Sequence, residues 1–435
     1  MNVDEFINRD LSRRQFLGRS AQNAAGVAAG IVGLAEAVGK ASPLERVSVG
    51  VVGVRHHGSQ LAAHLASLPD VDVTTICDVD EGQFPGLSRT LEQIQGHAPH
   101  CETDFRRLLD DSSLHAVVLA VPDHWHGYMT VAACRAGKDV YLETPLAHTY
   151  AEGEAIVAAA RETGRIVQVG HQERSSPHIQ SAIEYLKSGE LGAVKWAKAW
   201  VVHRRKSIEQ RAESAVPPGV DFDLWLGPAP RKPFYPNRFH HNWRWFWDYG
   251  GGELAQWGSQ LLDIARWGLD VELPTRVSAS GGKFYFHDDQ ETPDTLSVQF
   301  SYPGKSIQWE HRLWSTHGIE GRSTGVAFYG ERGTLVLDRG GWKVYDQPGA
   351  VGVCSGDALL DHLRNFINSV KTRQQPHCDA ATAHLASTMS QLGNISYRLG
   401  REIVVDPKAL VNHPDDDVRQ LLTHSVRDPW NLPIA

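Results

Sequence analysis

Four short stretches of this chain hold residue types at spacings that suit ligand chemistry. The first runs from Val47 to Asp80: VSVGVVGVRHHG, then Leu61, Ala62, Leu65 and Leu68 at helical spacing, then VDVTTICDVD. Gly53 and Gly58 stand where the first and third glycines of a G-x-G-x-x-G phosphate turn fall, and Asp78 follows Gly58 by 20 residues. In such a unit the first glycine permits the tight turn. The helix N-terminus offers free N–H groups to a pyrophosphate, and the acid accepts hydrogen bonds from ribose hydroxyls. Arg55 takes the place of the middle glycine, so the fingerprint is incomplete, and a strand–turn–helix with no ligand is the competing reading. The other stretches are Pro122-Asp123-His124-Trp125-His126, Glu143-Thr144-Pro145 and His171-Gln172, each following a short apolar run. Asp78 predicts NAD rather than NADP, because a carboxylate there repels a 2′-phosphate; Arg55 nearby could accept that phosphate and keeps NADP open.

The elements that must position these residues alternate. Val47–Val52, Val71–Ile76, Ala116–Val121, Asp139–Leu142 and Arg165–Val169 read as short buried strands, and the stretch after His126 through Ala136 and Tyr150–Thr163 as helices. The alternation predicts a Rossmann-type, doubly wound parallel sheet over residues 43–170. Ligands of such sheets bind beyond the carboxyl ends of the strands, so Arg55, Asp78, Pro122, His126, Glu143, Thr144 and Gln172 should converge on one crevice. After Gly170 the pattern changes. A helix over Pro177–Ser188 and a strand over Val194–Val202 precede a proline- and aromatic-rich loop, 215–247, and loops this long are more often functional than idle. Gly250-Gly251-Gly252 opens a helix reaching Trp267; six strands and two helices, Asp357–Thr372 and Asp379–Leu399, follow. This predicts an α/β domain with a large, mostly antiparallel open sheet over 171–405, and an extension over 406–435.

Composition narrows the classes. The chain has 435 residues, 41% hydrophobic and 22% charged, with a net charge of −8, which speaks against a general nucleic-acid binder. No apolar run of about 20 residues follows the N-terminus, so no membrane span is expected in the mature chain. Five scattered cysteines without a C-x-x-C pair predict neither a disulfide framework nor a cysteine zinc site, and no metal is expected. Nearly half of the 13 tryptophans lie between Trp225 and Trp267, where they could stack on sugar rings or fill a core.

Residues 12–17 read SRRQFL, an alanine-rich stretch follows, and Ala35-Glu36-Ala37 offers a cleavage site. This pattern predicts a twin-arginine export signal within residues 1–42, and hence a periplasmic or extracytoplasmic protein. Export after folding suits a chain that acquires its cofactor, and completes folding around reduced cysteines, in the cytoplasm.

Taken together, VSVGVVGVRHHG, TTICDVD, VVLAVPDHWHGYMTVAACRAGKDVYLETPL, VQVGHQERSSPH, DFDLWLGPAPRKPF, DYGGGELAQWGSQLLDIARWGL and LGNISYRLGREIVVDP resemble the Gfo/Idh/MocA family of glucose–fructose oxidoreductases and inositol dehydrogenases. The resemblance covers nearly the whole mature chain. It implies NAD(P)-dependent hydride transfer on a sugar, polyol or related carbonyl compound, or, as in some relatives, transient oxidation and elimination of a glycoside. It also implies a homodimer or homotetramer built through the open sheet. Two departures stand out. The family's Glu-Lys-Pro is Glu143-Thr144-Pro145 here, and the acid or amide, histidine and acid expected on the helix after the glycines are Gln256, Gln260 and Asp263. Neither Thr144 nor Gln260 titrates usefully, so the usual proton relay is lost. Other candidate bases are His124, His126, His171, His203, His240 and His241, with His241 favoured for substrate and His126 for packing against the cofactor pocket. The alternative is an impaired homologue that binds cofactor and sugar without chemistry.

Overall fold

The computed structural model describes residues 45–347, 349–423 and 426–432; the twin-arginine reading lies outside them. Two sheets organise the chain. The first has six parallel strands in the order β3-β2-β1-β4-β5-β6: β1 Val47–Val52, β2 Val71–Cys77, β3 His100–Glu102, β4 Ala116–Leu119, β5 Asp139–Leu142 and β6 Val167–Val169. β1 pairs with both β2 and β4, so the strand order reverses beside it and a crevice opens at the strand ends. The central strands β1, β4 and β5 are buried almost throughout, because helices cover both faces. The reading of alternating strands and helices holds, with one gap: residues 81–110 hold the helices Phe84–Gln95 and Phe105–Asp110 and the edge strand β3, too short and polar to show a period.

The second sheet has nine strands in the order β14-β13-β12-β11-β7-β10-β9-β8-β15. β7 (Val194–Val202) lies parallel to β10 (Lys305–Arg312), and every other pairing is antiparallel. Alternation along β9 (Thr295–Tyr302) buries Leu296, Val298 and Phe300 against helices and leaves Ser297 and Gln299 on the open face.

Two late helices tie the halves together. Helix Ala358–Thr372 sets Leu363, Phe366, Ile367 and Val370, at helical spacing, into one core with Val47 and Tyr141 of the first sheet and Leu61 of helix His56–Ala66. Helix Ala380–Leu399 places Ala380 and Ala383 in the core beneath the first sheet and Met389, Leu392 and Ile395 in the core beneath the second. The loop 215–247 is not open coil. It contains the short helix Phe222–Leu226, and Trp225, Phe234, Phe239, Trp243 and Trp245 form an aromatic core of their own. Most of the tryptophan cluster therefore serves packing.

Candidate active site

Gly53 leaves β1 at φ +79°, and a Cβ there would lie 2.5 Å from the Ala120 carbonyl oxygen. At Gly58 an added Cβ would meet the Gly53 carbonyl oxygen at 1.8 Å. Both glycines are required by close approach of backbone, as a phosphate turn demands. Arg55 between them is extended, at φ −73° and ψ 170°, a conformation open to any residue. Its guanidinium stands exposed at the mouth of the crevice, so the missing middle glycine leaves the turn intact. Pro122 starts the neighbouring helix, Asp123–Arg135, from the tip of β4. Asp78 holds the turn: Oδ2 accepts the Val54 N–H at 2.9 Å and Oδ1 the Asp80 N–H at 3.0 Å. Burial pushes its carboxyl up to about 6 against the pull of those two bonds. The cradle fits a dinucleotide: no side chain at Gly53 or Gly58 obstructs it, and the first turn of helix His56–Ala66 lies beside it.

Two cavities flank this turn. The smaller, about 100 Å³, lies between Gly53, Asp78, Pro122 and the Phe239-His240 segment of the aromatic loop. The larger, about 370 Å³, has Arg55, His57, Glu143, Thr144 and Gln172 on one side. His241, Arg244, Gln256, Trp257 and Gln260 approach from the second domain. In the larger cavity Glu143 is buried and its Oε1 lies 3.0 Å from His57 Nε2. Gln172 Nε2 donates to the same oxygen at 3.3 Å, and the Thr144 N–H donates to Oε2 at 3.2 Å. Burial would raise the Glu143 carboxyl, but His57 and these donors outweigh it and hold it below its usual range. Glu143 in turn raises His57 to about 9, so the two form an ion pair at neutral pH.

The Thr144 hydroxyl is already committed. Its Oγ1 lies 2.7 Å from Ser259 Oγ, and Ser259 donates its single hydrogen to the Ala255 carbonyl at 2.7 Å. Thr144 is therefore the donor to Ser259 and has no hydrogen left for a substrate. Gln260 lines the cavity, its Oε1 3.4 Å from Arg339. Gln256 donates to both Asp123 oxygens, at 2.9 and 3.1 Å.

Asp263 requires a correction. The expected active-site acid is fully buried away from the cavity, where Arg174 binds it at 2.5 and 2.9 Å and Arg266 at 3.2 Å. Its carboxyl is held well below the usual range, burial being outweighed by Arg174 and His171. Gln260 and Asp263 lie on one regular helix, Ser259–Leu269, behind a single π-helical turn, Leu254–Gly258; three residues on from Gln260, roughly 60° around that helix, the Asp263 carboxyl meets Arg174 rather than the cavity. His171, Asp263 and Cys378 offer ligand atoms within 4.8 Å of one another, but both Asp263 oxygens are taken by guanidinium groups, whose charge repels a metal ion.

The candidate histidines divide similarly. His124 is buried with Nε2 3.0 Å from the Trp225 carbonyl oxygen, and burial pulls it down to about 4. His126 lies between the Pro145 and Val121 carbonyl oxygens, at 2.7 and 3.0 Å, and binds the strand tips to each other, consistent with packing beside the cofactor. His171 faces Asp263 at 3.4 Å, and His203 faces Glu253 at 3.6 Å. His240 pairs with Asp80 at 3.2 Å. His241 does line the larger cavity, but burial, then Arg244, Arg205 and Arg55, hold it near 4, too low for an effective base at neutral pH. Sequence reasoning passed over His57, Ser259 and Arg244. The signal for His57 was present: it sits in the first helical turn behind the phosphate loop, the segment that must face a dinucleotide.

Residues 47–171 match a family model described as "Oxidoreductase family, NAD-binding Rossmann fold", and residues 186–294 and 357–432 match its "C-terminal alpha/beta domain". The chain belongs to the Gfo/Idh/MocA oxidoreductase family. An inositol 2-dehydrogenase of Rubrobacter xylanophilus is 31% identical over 294 residues, covering 67% of this chain and 71% of that protein. A 4-carboxy-2-hydroxymuconate-6-semialdehyde dehydrogenase of Sphingobium sp. is 30% identical over 155 residues, 34% of this chain and 47% of that protein. A glycosyl hydrolase family 109 protein of Saccharopolyspora erythraea is 30% identical over 230 residues, 48% of this chain and 49% of that protein. The chain thus spans about half the length of these last two relatives. The levoglucosan dehydrogenase complex with NADH and levoglucosan shares the fold at TM-score 0.64 and 18% identity, covering 83% of this chain and 100% of that one.

Proposed function

We propose that this Gfo/Idh/MocA protein is an NAD-dependent oxidoreductase acting on a sugar, polyol or glycoside, with the usual lysine and histidine replaced by Thr144 and Gln260. The observation that carries the reading is the Glu143–His57 ion pair in the cavity joining the glycine turn to the second domain. Bound NAD supplies a carbon that takes or gives hydride. The chain's own residues must then hold the hydroxyl and move its proton. His57 Nε2–H is held by Glu143, so the mobile proton sits at Nδ1, which reaches only the Gln60 side chain, at 3.3 Å. In the reducing direction Nδ1–H donates to the oxygen that becomes a hydroxyl. In the oxidising direction neutral His57 takes the hydroxyl proton as hydride leaves the carbon, and the Glu143 carboxylate stabilises the imidazolium that forms. Gln256 and Gln260 orient the remaining hydroxyls. The test is to purify the protein, identify the nicotinamide released on denaturation, and follow reduced nicotinamide absorbance during addition of sugars and polyols. Turnover that His57→Gln abolishes supports the reading. Bound NAD whose redox state no sugar or polyol changes overturns it.

A second reading has its own support. The aromatic loop bridges over the smaller cavity: the Glu81 N–H donates to the Gly219 carbonyl at 3.0 Å, and the Asp221 N–H to the Val79 carbonyl at 2.9 Å. This roof favours a cofactor retained between turnovers, as oxidation and elimination of a glycoside would need, or a non-catalytic sugar-binding role. NAD that co-purifies at one per chain, with glycoside cleavage but no net NADH, selects the first of these.

We also propose export of the chain through residues 1–42 by the twin-arginine route, checked by whether Arg13→Lys with Arg14→Lys retains it in the cytoplasm. Assembly as a homodimer or homotetramer through the open face of the second sheet is proposed too. That face carries the stacked pair Trp196 and Tyr329, with ring centroids 5.1 Å apart, and light scattering of the wild type and Trp196→Glu tests it.

A further inference from the structure

The charges around the larger cavity do not balance. Two of its cations have partners: His57 with Glu143 at 3.0 Å and Arg339 with Glu173 at 2.8 Å, while burial holds His240 near 4 and leaves it neutral. Arg205, just behind, holds Glu253 at 2.7 and 2.9 Å. Arg244 has no ion pair among the described residues. Its Nε donates to the His241 carbonyl at 2.9 Å, and its guanidinium carbon stands 5.2 Å from the centre of the Trp243 ring. The carboxyls nearest it are engaged. Glu253 belongs to Arg205, and Asp123 is held by Gln256 and pushed up to about 8 by burial, so it carries little charge at neutral pH. Burial, and then the neighbouring Arg205, pull Arg244 itself down to about 10.

An uncompensated guanidinium in a cleft is unfavourable unless a ligand brings the anion. The cofactor diphosphate is one source of negative charge, but the glycine turn would meet it with the first turn of helix His56–Ala66, and with Arg55, which also has no ion pair among the described residues. Arg244 comes from the opposite side, on the aromatic loop. It lines the cavity together with His57, His241 and Gln256. Glu143, the only carboxylate lining the cavity among the described residues, is neutralised by His57. A planar guanidinium binds a carboxylate through two parallel hydrogen bonds, fixing orientation as well as charge.

We infer that the substrate is anionic, a sugar acid such as a uronate or aldonate, and that Arg244 binds its carboxylate. This rests on the reading of the cavity as a substrate site. The carboxylate on Arg244 would turn the carbinol carbons of the chain or ring toward Glu143 and His57.

The experiment titrates the holoprotein with D-glucuronate, D-galacturonate and D-gluconate, and with D-glucose, D-galactose and sorbitol, by calorimetry, with nicotinamide absorbance read in parallel. At least one acid should bind tenfold or more tightly than its neutral counterpart, and the preference should shrink with added salt. Arg244→Met should erase the preference and leave NAD affinity unchanged, whereas Arg244→Lys should keep part of it. If Arg244→Met does not fold, the salt dependence of the wild type and the Arg244→Lys series still decide. Equal binding of acids and neutral sugars overturns the inference. So does an Arg244→Met protein that loses NAD affinity with its sugar preference intact, since Arg244 then serves the diphosphate. Arg244-dependent binding of an acid with no redox change leaves the inference standing and removes the oxidoreductase reading; oxidation of neutral sugars alone does the reverse.

Discussion

On the N-terminal side of the cleft, the parts that receive the cofactor are largely backbone. Gly53 and Gly58 bring chain segments within van der Waals contact, the first turn of helix His56–Ala66 lies beside them, and Asp78 holds the turn by accepting two backbone N–H groups. On the C-terminal side the working atoms belong to side chains, Arg244, Gln256 and Gln260, carried on an aromatic loop and on a helix with a π-helical turn before it. A backbone site tolerates changes of side chain, and Arg55 in place of the middle glycine is such a change. A side-chain site can be rebuilt by single substitutions, and Gln260, where the family resemblance implies a histidine, stands at such a position.

The largest effect that would break this comparison is at Gly58. An alanine there meets a carbonyl oxygen at 1.8 Å, and no rotamer relieves it. Gly58→Ala should cost about 3 kcal/mol, the upper part of the overpacking range, and abolish NAD binding, read by thermal melting and by cofactor fluorescence. Arg55→Ala in the same turn should leave the melting temperature unchanged, which sharpens the contrast.

His57→Gln should lower kcat by about 10²- to 10⁴-fold with the circular dichroism spectrum unchanged, because it removes the proton acceptor without disturbing packing. In the oxidising direction the rise of kcat with pH through about 9, as His57 loses its proton, should disappear with it.

Glu143→Gln has a smaller effect with a distinct signature. Glu143 raises His57 from 6.5 to about 9. A group whose folded pKa is raised contributes stability that is complete below its unfolded value and lost as pH rises through its folded value. Wild-type stability in urea should thus carry a decline between pH 6.5 and 9 that Glu143→Gln lacks, and the His57 resonance of the variant should titrate closer to 6.5.

Thr144→Ala should do least. It removes one hydrogen bond, to Ser259, worth about 1 kcal/mol, and should change kcat by less than about threefold. A large loss in kcat would show that Thr144 reaches the substrate after all.

Much of this was legible in the residues. The strand tips at Gly53, Asp78, Pro122, Glu143 and Gln172 meet where the alternating pattern puts them, because a parallel sheet delivers every strand's carboxyl end to the same edge. Asp263 was misread because its partner Arg174 lies 89 residues away, beyond what spacing along one helix can show. His57 was missed because its partner, Glu143, lies 86 residues away. The tryptophan-rich loop looked like a sugar surface, yet most of its rings fill their own small core.

What the sequence determined by itself was the architecture and the place of the cofactor, since both follow from local rules: glycine at forced backbone positions, apolar runs for buried strands, an acid at the end of the second strand. Only the tertiary structure decided which titratable groups have partners. His57 becomes a poised acid because Glu143 is buried beside it, Asp263 is spent because two arginines reach it, and Arg244 is left unpaired because its neighbours are taken. Electrostatic pairing depends on distances across the fold of a few ångströms, and nothing in the spacing of residues along the chain encodes them.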